Sequence, residues 1–209
     1  MTEQRRSKMP AVEIRGNADL RKAMRQFTPD LEKALKKELK RALVPVTKAA
    51  KGFVPSHAPM RGWAARSFSE GRFPQWSTST IVRGITYSTS PSKVNKNGFS
   101  SMARIMNKSA VGAIYETSGR KNPNGQPWVG PKAGGTSHKV SRSSNPNAGA
   151  QFISNLSPLV SSLQGQGRLI YRAWRESKDD PMGIAMRAID AARTEFYNRA
   201  SYTSFKKVA

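Results

Sequence analysis

No cysteine occurs anywhere in the 209 residues. Disulfides, thiol nucleophiles and thiolate metal sites are excluded, and the composition suits a reducing compartment. Histidine is nearly as scarce: His57 and His138 are the only two, far apart and both in loop-like sequence. Acidic residues number 13 against 36 lysines and arginines. The carboxylate pairs available for acid–base work are Glu32 with Glu38 and Asp179 with Asp180. The second pair reads as a helix start, where negative charge meets the helix dipole. No serine sits in a G-x-S-x-G elbow, and the glycine-rich "KAGGTS" lacks the spacing of a phosphate-binding loop. The chain therefore reads as a non-enzyme, with no catalytic residue, no cofactor and no metal. Long hydrophobic runs are missing too. No window approaches the roughly 20 apolar residues that cross a bilayer, and "MTEQRRSKMP" has no apolar core of a secretory signal. A soluble protein, or a part of a soluble assembly with no membrane partner, is expected.

What is abundant is positive charge. The formal net charge is +23. Self-repulsion of that size opposes compaction unless something acidic lies nearby, whether nucleic acid, an acidic membrane surface or an acidic protein. Hydrophobic residues make up 37%, somewhat below the globular norm. That supply is enough for one core, so a compact centre with long polar loops is expected.

Residues 1–18 form a basic N-terminal arm, with a strand expected at "AVEIR". From Asp19, apolar residues recur at three- and four-residue steps: Leu20, Ala23, Met24, Phe27, Leu31, Ala34, Leu35, Leu39, Ala42, Val46, Ala49 and Ala50. That is one helical stripe. Thr28-Pro29 is either a kink or a fresh helix start. Pro45 is expected to kink the second half, and Gly52 and Pro55 to end it. "TSTIVRGITYSTS" reads as β-like, with "SSMARIM" as its partner strand after a turn. Residues 120–165 form a long loop excursion rich in Gly, Ser, Asn and Pro, with a short helix expected within "QFISNLSPLVSSLQ". Asp180-Pro181 opens an amphipathic C-terminal helix through Phe196 and Tyr197. Residues 201–209 read as a flexible basic tail. The organisation is one α+β domain over 19–200: a long N-terminal helix and a C-terminal helix packed on a small, mostly antiparallel sheet.

Lys33, Lys36, Lys37, Lys40 and Arg41 lie along the N-terminal helix as a basic contact face. Blocks of charge commonly do no more than solvate a helix; the sharper reading is docking to something acidic. Nucleic-acid binding has some support, since Trp63, Phe68, Phe73, Trp76 and Phe99 lie among basic residues. No helix-turn-helix, zinc-finger or RNA-recognition pattern accompanies them, and aromatics so spaced are more often core or interface anchors.

Three segments together resemble a known family. A basic amphipathic helix runs into a "P…G" loop, "FVPSHAPMRGWAARSF". A tyrosine–glutamate–glycine signature follows in "YETSG", with Tyr115, Glu116 and Gly119. An apolar–Arg–Ala segment, "RLIYRAWRESKDD" with Arg172, then feeds a terminal helix. In this order they resemble the neck and tail-completion proteins of long-tailed bacteriophages. The family usually passes quickly from the signature to the Arg-Ala segment; here residues 120–167 intervene, and "GQPWVGP" with Trp128 is a candidate for the displaced proline–aromatic part.

The resemblance implies a structural virion protein that joins head and tail, or completes the tail, at the neck of a siphophage. It implies self-association in a ring, with a hexamer favoured, contact with neighbouring neck and tail-tube proteins, and non-specific contact with DNA in the channel. Assembly would take place in the bacterial host cytoplasm. The alternative is a charge-driven nucleic-acid-binding protein without base specificity. Under the resemblance, Tyr115, Glu116, Gly119, Trp128 and Arg172 are interface or structural residues. Glu116 would pair with an arginine or with backbone N–H groups, Tyr115 would pack its ring and hydrogen-bond at its tip, and Gly119 would turn the chain with φ > 0. The plain alternative, Glu116 as an ordinary surface residue ending a short helix, stays open at this point.

Overall fold

The computed structural model describes residues 11–16, 18–64, 74–97, 100–132, 139–162, 165–177 and 180–206. Among the residues singled out above, Phe68, Phe73, Phe99, His138 and Asp179 lie outside these ranges, as do residues 1–10 of the expected arm, most of "KAGGTS" and the last three residues.

The fold is α+β. Strand β1 (Ala11–Gly16) precedes helices α1 (Ala18–Phe27) and α2 (Pro29–Gly52). Thr28-Pro29 is thus a fresh start. Pro29 occupies the first turn, where its missing N–H costs nothing, and the Thr28 carbonyl accepts from Leu31 and Glu32. Asp30 and Glu32 in the first turn complement the dipole. The helix runs on through Pro45 to Gly52. Leu31, Leu35, Leu39, Ala42, Leu43, Val46 and Ala50 bury one side, while Lys33, Lys37, Lys40 and Arg41 are exposed on another.

Short helices α3 (Arg61–Ala64) and α4 (Thr78–Gly84) follow, then β2 (Ile85–Ser88) and β3 (Ser100–Asn107). The β-like reading of 78–84 is corrected here. Ser77 accepts a hydrogen bond from the Thr80 N–H at 3.2 Å and caps a helix that buries Ile81. An N-cap side chain outweighs the mild β preference of threonine and isoleucine. Only 85–88 is strand, and it pairs antiparallel with β3 as expected. β1 pairs antiparallel with the other edge of β3, giving the order β1-β3-β2. Part of the expected arm is therefore an edge strand of the sheet.

Helix α5 (Ala110–Thr117) carries the start of the "YETSG" signature, so that signature lies at a helix end. Helix α6 (Ala148–Ser154) is the short helix expected near Phe152. A small antiparallel ribbon, β4 (Val160–Ser162) with β5 (Gly165–Gly167), leads into α7 (Ile170–Arg175). Helix α8 (Pro181–Lys206) closes the chain, continuing into the stretch read as a tail. Asp180 precedes it with φ 40° and accepts from the Gly183 N–H. One core joins these layers: α2 packs on α8, α7 and β2, and α7 packs in turn on the small ribbon.

Candidate functional site

Glu116 and Tyr115 leave the last turn of α5 pointing inward, and both are buried. α5 is set by Ser109, whose side chain accepts from the Gly112 N–H at 3.1 Å. The Glu116 carboxyl accepts three backbone hydrogen bonds, from Leu169 at 2.6 Å, Ile170 at 3.0 Å and Tyr171 at 3.1 Å. These are first-turn donors of α7, which have no partner inside their own helix. Leu169, in the cap position, has no side-chain oxygen to offer them. Glu116 supplies that cap from a helix 53 to 55 residues away in sequence.

Arg168 returns the favour. It is buried, and it donates from Nη1 to the carbonyls of Tyr115 and Ser118, both at 2.8 Å, and from Nε to the carbonyl of Ser157. Two of the carbonyls at the end of α5, which the helix itself leaves unpaired, thereby gain a partner. Two helix ends cap one another: the carboxylate of one serves the N–H groups of the other, and a guanidinium serves the carbonyls of the first. Burial pushes the Glu116 carboxyl above its ordinary range, against the pull of the N–H groups and of Arg120. Burial likewise pulls Arg168 below its ordinary value, with the Glu116 charge working the other way.

Two glycines make the approach possible. A Cβ on Gly167 would fall 2.2 Å from Glu116 Oε1, so a side chain there would displace the carboxylate. Gly119 has φ +88°, the left-handed turn expected of it.

Tyr115 completes the knot. Its hydroxyl lies 2.8 Å from Ser157 Oγ, and its ring meets Trp76 edge-on at 5.3 Å. Trp76 in turn meets Trp63 at 5.0 Å, and Trp63 meets Phe152 at 5.2 Å. The "P…G" loop thus reaches the signature through a chain of edge-to-face and tilted aromatics, which act here as core anchors.

Known protein families, curated proteins and solved structures give no match to this chain.

The other residues singled out by sequence fall elsewhere. Arg172 stays outside the knot: its guanidinium lies 4.2 Å from the Phe53 ring centroid, and its Nε bonds Glu176 at 2.9 Å. Trp128 is 45% exposed, with Val129 beside it at 43%. Its segment folds back on 141–143: Val129 donates to the Ser141 carbonyl, Ser141 to Pro127, and the Trp128 indole N–H to Ser143. Of the basic face, Lys36 turns aside to Glu32 at 2.9 Å, and Arg41 lies 3.7 Å from Glu38.

Glu32 itself belongs to a second buried cluster that the sequence did not disclose. Arg21 is 1% exposed, bonds Glu32 at 2.8 Å, and donates to the carbonyls of Thr89 and Met102. It ties α1 and α2 to the sheet. The carboxylates weighed for acid–base work, Glu32 and Glu38, are thus engaged with cations. Among the described residues no group of three or more potential ligands is placed to hold a metal, and no helix is long and apolar enough to cross a membrane.

Proposed function

We propose that this chain is a structural virion protein that joins head to tail, or completes the tail, at the neck of a long-tailed bacteriophage. The observation that carries the proposal is the reciprocal cap. The two segments most diagnostic of the resemblance, "YETSG" and the Arg-Ala segment, meet in one buried lock formed by Glu116 and Arg168. A carboxylate engaged by three backbone N–H groups, under a guanidinium that holds three carbonyls, is built to fix geometry. Such a lock suits a subunit whose shape must repeat in a ring.

On this proposal the chain does no chemistry. It associates with copies of itself, most simply as a hexamer, and contacts neighbouring neck and tail-tube proteins in the virion. The excursion that carries exposed Trp128 and Val129 reaches toward those neighbours. The test is genetic. An amber mutation in the phage gene should leave filled heads and finished tails unjoined, with joining restored when the chain is supplied in trans. Normal virions without the chain would overturn the proposal. Mass photometry of the purified chain adds a direct check for closed rings.

A further inference from the structure

The exposed side of α2 carries a pattern of its own. Lys33, Lys37, Lys40, Val44, Lys48 and Lys51 fall on one arc of about 80° at 3.6 residues per turn. At 1.5 Å per residue the row is about 27 Å long. Lys33, Lys37, Lys40 and Lys48 are exposed, and between Lys33 and Lys51 no carboxylate shares that arc. The nearest, Glu38, sits to one side against Arg41. Asp30, at the head of the helix, is held by Arg199 at 2.8 Å.

We infer that this lysine row is a docking track for the phosphate backbone of duplex DNA. Three features select that partner. The row is free of aromatic residues, and its one apolar member is Val44. Protein interfaces are centred on aromatic and apolar anchors and are depleted in lysine, so an acidic protein is the poorer fit. A second copy of the chain would bring like charge to like. Duplex DNA instead presents one negative charge per about 1.7 Å of axis, and lysines spaced along a rigid helix neutralise it without reading bases. The row is also fixed in place: its helix buries the opposite side in the core, so ordering the track needs no refolding on binding. Such a contact is a property of the free chain and holds with or without the virion role.

The measurement is binding of a labelled duplex of arbitrary sequence across a salt series, with three forms of the 209-residue chain compared. One is the native chain. One carries Lys33→Gln, Lys37→Gln, Lys40→Gln and Lys48→Gln. The third carries the same charge change elsewhere, at exposed Lys93, Lys96, Lys121 and Lys132. Each phosphate neutralised contributes about 0.9 to the slope of log K against log salt. The row variant should flatten that slope by about 3.6, and the control by less than one. A double variant, Lys37→Gln with Lys48→Gln, should lose about half as much. Unfolding midpoints check that all variants remain folded. Equal losses in the row and control variants would overturn the inference in favour of diffuse charge. Displacement of the duplex by polyglutamate at equal charge concentration would overturn it in favour of an acidic protein.

Discussion

Replacing Glu116 tests the reciprocal cap most directly. Glu116→Ala removes the acceptor for three buried N–H groups at once, those of Leu169, Ile170 and Tyr171. Leaving one buried donor unsatisfied costs about 1–3 kcal/mol. The three share a single carboxyl and will recover in part by local movement, so the full sum will not appear. A loss of about 3–5 kcal/mol is expected, the range for breaking a buried charged network. Glu116→Gln keeps the shape and one acceptor oxygen but turns an NH2 toward a donor, and should cost about 2–3 kcal/mol. Either is a large share of the roughly 5–15 kcal/mol that holds a domain together. Urea unfolding at neutral pH, with the slope checked for constancy, reads both values. Two variants within about 0.5 kcal/mol of the native chain would refute the cap, because that is what ordinary surface changes do. The same pair carries a pH signature. Burial holds the carboxyl above its ordinary range, so the folded chain keeps this proton more tightly than the unfolded one. The stability advantage over Glu116→Gln is therefore greatest below the ordinary carboxylate pKa and declines as pH rises through the raised value. An advantage that grows with pH would contradict the stated cause.

Leu35→Ala should lower stability by about 2–5 kcal/mol, since Leu35 is 2% exposed on the packed side of α2; an unchanged denaturation midpoint would mean that side is not core. Glu32 is opposed by burial, but Lys36 and Arg21 outweigh that and hold its carboxyl below the usual range. Its contribution is present above the unfolded carboxylate pKa and is lost as pH falls through the lowered one. Glu32→Gln should accordingly flatten the acid limb of the stability profile, and an identical acid limb would refute this. In free chain, limited proteolysis should cut within 120–150, and assembled particles should be protected there; Trp128→Ala should leave the midpoint within about 0.5 kcal/mol yet impair head–tail joining. Equal protection in the free chain would assign the segment to the domain's own fold.

The elements with a clear period were legible. The leucines of α2 repeat at helical steps and lie where the stripe put them, and Gly119 takes the left-handed turn its place in "YETSG" demanded. The partition at 78–88 was not legible, because Thr78, Ile81 and Val82 suit a strand while the decisive signal is one serine oxygen at Ser77. Glu116 was recognisable as unusual from the scarcity of acids, but not its partner. Arg168 and Arg172 both stand in "RLIYRAWRE", and sequence offers no means of telling the buried arginine from the one that stacks on Phe53. Arg21 was harder still. It sits beside Leu20 in a basic helix, and only the sheet carbonyls of Met102 and Thr89 explain its burial. Long-range polar pairing leaves no local period, so spacing alone is silent about it.

Because Glu116 and Arg168 clamp the chain at both ends of 120–167, the segment between them is closed on a fixed base, and it is tied to that base again where Phe152 meets Trp63 and Ser157 meets Tyr115. The entropy of closing such a loop grows only with the logarithm of its length, by about 0.6 kcal/mol per doubling. A sequence inserted after exposed Lys132 would thus lengthen the loop at small cost while the clamp, the aromatic cluster and the helices keep their geometry. The stretch around Lys132 can change length, chemistry and reach without touching those anchors, and that makes it a natural place to mount a tag on this scaffold.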